Sequence, residues 1–537
     1  MIGLAVADGE REIAEEFFEL FKTPWKHATS TEKYRVVLCT DGRMDRLDAD
    51  VYLVYGSTPQ AIDLESGHSP RLHERLDVTW QDSKLPIYGP LATFDRTTGT
   101  LVGNDLGVDY SHQLGTRRVR RIGYDLFAEI GFLLNQGQPP SDALTPTLEL
   151  HIALLRQLLS ESGVPFLEIP PRPHDYRFVC CLTHDVDFFG IRRHKFDGTL
   201  AGFLVRGSIG TAVDLARGER SLSEALRNWH AVLSLPLVFL GLQNDFWDPF
   251  DDYARLEKGR RSTFFLVPFK GRPGVPANGT IETRRAVKYQ ASEVRREAER
   301  VAARGNELAV HGIDAWSDGN AGRSEMGELL AITGRTTAGV RMHWLYFAAD
   351  APAHLEAAGF EYDSTCGYND AVGYKAGTSQ VFRLPGTSGL LELPMSIMDS
   401  ALFYPNRMGL RRRDAASVCE QVISNAQRYG GTVVVNWHDR SLAPERQWSG
   451  FYQQLIDNVG RDDQAWFATA QEAVNWFRWR RSVQFSTDAE SQRVTVTSTW
   501  SPPNGPAGSV RVQWPGRVGD VRVESHRLTN DAITVNL

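Results

Sequence analysis

Five short apolar runs recur between residues 177 and 440: FVCCLTHDVD, STFFLVP, NELAVHG, AGVRMHW and GTVVVNWHDR. Helical patterns fall between them, at 290–304 and 415–429. Strands that are apolar on both faces belong to a parallel sheet, because each crossover between parallel strands lays a helix over one face. The expected fold class is therefore α/β, with a (β/α) barrel or a related parallel-sheet fold over residues 175–480. The stretch 192–260 is long for a single connection between two elements, and we expect it to be a mostly helical insertion.

The flanks have a different pattern. In residues 1–170, strand-like runs at 34–38 and 51–55 alternate with helical stretches at 10–21, 124–134 and 148–162, which predicts a small N-terminal α/β domain. It ends in Ile169-Pro170-Pro171-Arg172-Pro173, where proline favours extended backbone and marks a boundary. After Arg481 the runs RVTVTST and SVRVQW alternate apolar and polar residues on either side of SPPNGPAG, so residues 481–537 read as a small antiparallel β-rich unit.

Chemistry-bearing residues gather at the ends of the central strands. Thr183-His184-Asp185-Val186-Asp187 closes the first run, and residues two apart on a strand share a face, so Asp185 and Asp187 can aim at one point. Near a divalent cation, one such carboxylate can act as base on a bound water while the other serves as ligand. His184 points away from the pair and is expected to pack or to support it from behind. His311, His343 and His438 each follow an apolar run, which places nitrogen ligands at the same rim of a parallel sheet. Trp316, Trp344, Tyr346 and Trp437 lie near these positions and could stack on sugar rings or belong to the core.

The order DxD, STFF, His motif, Arg motif and strand-end His resembles the polysaccharide deacetylase family (carbohydrate esterase family 4) over about 300 residues. The resemblance implies a distorted (β/α) barrel with Asp185 as catalytic base, Asp187 and His311 as metal ligands, Arg341 orienting Asp185, and His438 as the general acid. The chain departs from the family pattern twice. Four residues after His311, where the family has a second histidine, stands Ala315, and the Arg motif reads Arg341-Met342-His343-Trp344. His343 is the expected replacement ligand, with Asp314 as the alternative. A site without metal, in which His343 is only a core residue, is the competing reading. Asp399 or Asp439 could hold His438 protonated. Zinc is the first expectation for the metal, although Asp-His-His sets accept other first-row ions.

The expected reaction is hydrolysis of an N-acetyl group on an amino sugar or glycan intermediate of polysaccharide or envelope assembly. A non-sugar linear amide or cyclic imide is the alternative substrate class, and an inactive glycan-binding or scaffold protein is the alternative role. A net charge of −7 leaves no global positive field for nucleic acid. The five cysteines, without a CxxC pair, fit reduced thiols. The N-terminus lacks the basic start of a leader, and the longest apolar run, 232–242, contains Pro236 and is too short to span a bilayer. A cytoplasmic protein without a transmembrane segment is expected, with 232–242 buried in the core and monotopic contact of that run with a membrane as the alternative.

Overall fold

The computed structural model describes residues 1–536 except 82, 96–98, 219, 489–492, 499, 501–504, 516–520 and 529–531. The five apolar runs form strands of one sheet: β1 (Phe178–Val186), β2 (Ser262–Leu266), β3 (Glu307–Gly312), β4 (Val340–Met342) and, last along the chain, β8 (Thr432–Asn436). Three two-residue strands extend it, β5 (Tyr362–Asp363), β6 (Leu391–Glu392) and β7 (Ile397–Met398), and two further short strands, Phe382–Arg383 and Ala465–Phe467, pair with β6 and β1. The spatial order is β6-β5-β4-β3-β2-β1-β8-β7, and these neighbours pair in parallel.

β6 and β7 belong to one short segment, residues 391–398. Leu391 pairs with Tyr362 at one end, and Ile397 pairs with Val435 at the other, so the segment closes the curled sheet into a ring. All nine residues of β1 are buried, as expected for a strand covered on both faces. The outer helices follow the 3.6-residue period: Arg412–Tyr429 buries Ala415, Cys419, Val422, Ile423 and Ala426 and turns its charged residues to solvent.

The insertion is helical. It contains α1 (Gly198–Val205), α2 (Thr211–Ala216), α3 (Leu222–Phe239) and α4 (Phe250–Leu256), and one turn of wider helix, residues 206–210, joins α1 to α2. Asp197 caps α1 by accepting from the backbone N–H groups of Thr199 and Leu200, and Ser221 with Glu224 forms a capping box on α3. The insertion has its own small core, in which Phe203, Leu235, Val238 and Trp247 pack with Ala443. The run 232–242 is not the buried segment the sequence suggested, because Leu233, Leu240 and Leu242 are 79%, 72% and 75% exposed. Only one face of α3 meets the insertion core, through Ala231, Ser234, Leu235 and Val238.

Residues 1–122 contribute a six-stranded sheet in the order Asp109–Leu114, Arg117–Ile122, Asp48–Tyr55, Lys33–Cys39, Ile2–Ala5, Trp25–His27. Short antiparallel strands between residues 71 and 107, which the sequence left unassigned, form two small sheets beside it. Near the C-terminus, Gln484–Asp488, Arg493–Thr497 and Ile533–Asn536 make one antiparallel sheet. The hairpin of Gly508–Pro515 and Val521–Leu528 pairs instead with Phe166–Glu168, far earlier in the chain. Residues 501–504 of the SPPNGPAG connector lie outside the described residues. One continuous apolar core runs from Ile2 to Val535. All five cysteines are free, and four are buried.

Candidate active site

The candidate site is assembled at the C-terminal rim of the ring. Asp185 and Asp187 stand at the end of β1, His311 at the end of β3, Arg341 within β4 with His343 just beyond it, and His438 two residues past β8. Nε2 of His311 lies 3.3 Å from Oδ1 of Asp187, and Nε2 of His343 lies 3.5 Å from the same oxygen. One ligand atom from each of Asp187, His311 and His343 falls within 4.8 Å of the others, a spacing that could hold a metal ion.

Asp185 is held from two sides. Arg341 donates through Nη1 to Oδ1 of Asp185 at 3.0 Å, and Asn436 donates through Nδ2 to Oδ2 at 2.8 Å. Arg341 is itself fixed by Thr183 Oγ1 at 2.9 Å and by the carbonyl and hydroxyl of Ser364 at 3.0 and 2.9 Å. Burial favours the protonated Asp185 carboxyl, but the Arg341 guanidinium, with His311 and His438, brings its pKa below the usual carboxylate range. Asp187 is lowered too, since His343, His311 and His438 outweigh its burial. Both carboxylates are therefore ionised at neutral pH.

His438 faces the pair with Nε2 4.0 Å from Asp185 Oδ2 and 3.9 Å from Asp187 Oδ2. Its Nδ1 contacts Asp399 Oδ1 at 2.6 Å, and its backbone N–H donates to Asp399 Oδ2. Burial alone would lower the imidazole pKa. The charge and hydrogen bond of Asp399, then Asp187 and Asp185, outweigh it and raise the pKa to about 10. Of the two partners considered for His438, the structure selects Asp399, while Asp439 accepts from the backbone N–H groups of Phe188 and Arg440.

The residues present fit a divalent cation. Oδ1 of Asp187 is buried with no hydrogen bond although it stands between two imidazoles, and an orphaned buried acceptor of that kind is costly without a partner. Nδ1 of His311 contacts the Arg341 carbonyl at 3.0 Å; a carbonyl can only accept, so Nδ1 donates there and Nε2 is the ring atom turned toward Asp187. Burial lowers the His343 imidazole to about 3, leaving it in the neutral form that ligates metals. Asp314 is engaged elsewhere, with Oδ1 accepting from the Val275 N–H at 2.6 Å.

Several supporting residues were not singled out from the sequence. Asn436 closes β8 two residues before His438, so carrying the strand's alternation back from His438 could have found it. Arg285 gave no such signal. It is buried in the β2–β3 connection and donates to the carbonyls of His343 and Ile313, holding the turn where Trp344 and Leu345 take left-handed φ of 64° and 55°. His184 packs behind the site, contacting Glu257 at 2.7 Å and the Trp437 carbonyl at 2.9 Å. Trp437 is core, stacked on Phe451 and Tyr452. Trp344 and Tyr346 remain partly exposed near His343. A cavity of about 900 Å³ lies at the other end of the strands, lined by Glu149, Arg156, Arg172, Arg428 and Arg511, and shares no residue with this site.

No protein-family model matches the chain, and no curated protein matches it. Among solved structures, the chain is similar to a Mycobacterium smegmatis protein named as a polysaccharide deacetylase (19% identity, 57% of this chain and 94% of the other, TM-score 0.34). It is similar to the allantoinase Puue at 15% identity, over 57% of this chain and 91% of the other, with a TM-score of 0.35. A Pseudomonas aeruginosa PAO1 protein named as a polysaccharide deacetylase matches at 15% identity, over 60% of this chain and 97% of the other, with a TM-score of 0.35.

Proposed function

We propose that this chain is a metal-dependent amide hydrolase that removes an N-acetyl group from an amino sugar or glycan intermediate, acting in the cytoplasm in polysaccharide or envelope assembly. The observation that carries this reading is the convergence on one rim of two opposite arrangements. A carboxylate kept ionised, Asp185, stands 4.0 Å from an imidazole kept protonated, His438, beside the Asp187-His311-His343 group. Two titratable groups whose surroundings push their pKa values apart are a base and an acid.

In this mechanism Asp187, His311 and His343 would hold the cation, zinc in the first instance. When bound, the cation polarises the amide carbonyl and acidifies the attacking water. Asp185 accepts the proton of that water through Oδ2, the oxygen that also faces His438, while Arg341 and Asn436 keep the carboxylate from rotating. His438 donates from Nε2 to the departing nitrogen, and Asp399 stabilises the charged imidazolium before transfer. The partly exposed rings of Trp344 and Tyr346 offer faces for a sugar.

The test is metal content together with acetate release from N-acetylated amino-sugar oligomers, for wild type, His343→Ala and Asp314→Ala. Removing a ligand is expected to lower metal affinity at least about tenfold, so His343→Ala should lose metal and activity while Asp314→Ala keeps metal. A wild-type protein that takes up no metal after reconstitution would overturn the reading. Metal uptake with turnover only of non-sugar amides or imides would move the substrate class and leave the chemistry.

A further inference from the structure

Eleven of the twenty exposed large apolar side chains among the described residues fall within residues 196–242, so the insertion is an unpartnered apolar surface and not an ordinary solvent face. On α3 and its C-cap they are Leu222, Leu226, Leu233, Leu237 and the cap residue Leu240, at spacings of 4, 7, 4 and 3 residues, with the partly buried Trp229 filling the long gap. That spacing is a single helical stripe, on the side of α3 away from the insertion core. Across the hairpin, Val205, Ile209 and Val213 recur every four residues and continue the patch.

The charge of this surface identifies its partner. Residues 192–242 carry seven Arg and Lys against four Asp and Glu, in a chain whose net charge is −7. Three of those acids are committed, Asp197 to the cap of α1 and to His194, Asp214 to Arg220, and Glu224 to its capping box and Arg412; three of the bases are paired in turn, Arg192 with Asp245, Arg193 with Glu293 and Arg220 with Asp214, which leaves Lys195, Arg206, Arg217 and Arg227 without an ion pair among the described residues. Lys195 and Arg217 stand exposed at the edges of the patch. A twofold self-association through this patch would bring two basic surfaces together, whereas an anionic interface compensates them. No helix among the described residues is long and apolar enough to cross a membrane, so an amphipathic helix such as α3 would lie in the interfacial plane.

We propose that the helical insertion docks the protein onto an anionic lipid surface, with the leucine stripe of α3 entering the headgroup boundary and the flanking Arg and Lys contacting lipid phosphates. The insertion begins just past Asp187. Its core residue Trp247 lies under Arg440 in the turn that follows His438, so the docked surface and the candidate site occupy the same rim. Taken with the proposed deacetylase reading, on which this step rests, the substrate class is a glycan carried on a lipid anchor and presented at that surface.

Co-sedimentation with vesicles of phosphatidylglycerol and phosphatidylcholine, against pure phosphatidylcholine, tests the docking without turnover. The wild type should bind the anionic vesicles, lose binding as salt rises, and bind zwitterionic vesicles at least about tenfold more weakly. Leu233→Glu with Leu240→Glu alters two exposed positions and should cut anionic binding at least about tenfold, with the thermal melt and the hydrolysis of soluble oligosaccharide unchanged. Lys195→Glu with Arg217→Glu, which leaves the stripe intact, should weaken binding and flatten its salt dependence. Absence of wild-type binding, or binding insensitive to both variants, overturns the proposal. A light-scattering dimer that the leucine variant splits, without vesicle binding, would show that a second copy covers the stripe. Failure of soluble turnover with intact vesicle binding would strike the deacetylase reading alone.

Discussion

The division of labour between Asp185 and His438 rests on single contacts. Asp399 has no opening to solvent and spends both oxygens on the loop that carries His438. Asp399→Asn removes the charge and keeps the shape, so the His438 imidazole should drop from about 10 toward the ordinary histidine range. A general acid must be protonated to act, and activity is lost as pH rises through its pKa. The alkaline limb of the kcat/KM profile should therefore move to lower pH in Asp399→Asn. An alkaline limb that stays in place would remove His438 from the role of acid. At this scale the sequence was legible for the residues whose type is itself the chemistry. Asp185, Asp187, His311, Arg341, His343 and His438 all stand on one rim. The choices between His343 and Asp314, and between Asp399 and Asp439, were not legible, because each depends on which way a loop turns after its strand.

Among elements, the long apolar strands and the amphipathic helices were legible because their signal is local and periodic. β5, β6 and β7 have two residues each, too few for any period to register, yet they close the ring. The helix Thr147–Glu161 illustrates a buried polar group that periodicity also hides. His151 is buried there, its Nδ1 contacts the Tyr124 hydroxyl at 3.1 Å, and its Nε2 has no partner. Burial lowers its pKa to about 3. The unfolded chain takes up that proton near pH 6.5 and the folded one does so only near 3, so the unfolded state binds more protons in between. This group's contribution is present above pH 6.5 and is lost as pH falls through that window, at up to about 1.4 kcal/mol per pH unit. In urea unfolding at pH 7, 5.5 and 4.5, His151→Phe should lose stability less steeply than wild type. Parallel losses in the two proteins would mean that His151 is not the group titrating.

For the whole molecule, the two flanking regions are joined to each other through buried polar contacts as well as apolar ones. Glu168, 1% exposed, accepts from Arg156 at 3.0 and 2.9 Å, from Arg511 Nε at 2.8 Å and from Gln513 at 2.7 Å. It thereby ties a helix of the first 170 residues to a strand near the C-terminus. Glu168→Ala leaves two guanidinium groups largely buried without their carboxylate and should cost about 3 kcal/mol or more in chemical denaturation. A loss under about 1 kcal/mol would show that solvent or neighbouring groups compensate.

The sequence by itself determined the strand-and-helix class and put Asp185, Asp187, His311, Arg341 and His438 forward as candidates, because apolar period and residue chemistry are properties of short stretches. Only the tertiary structure decided the rest. The closure of the ring by residues 391–398, the pairing of 166–168 with 511–513, the partner of His438 and the exposed stripe of α3 all depend on what lies opposite in space. Such contacts join residues tens to hundreds of positions apart, and an apolar run looks the same in sequence whether or not another layer covers it.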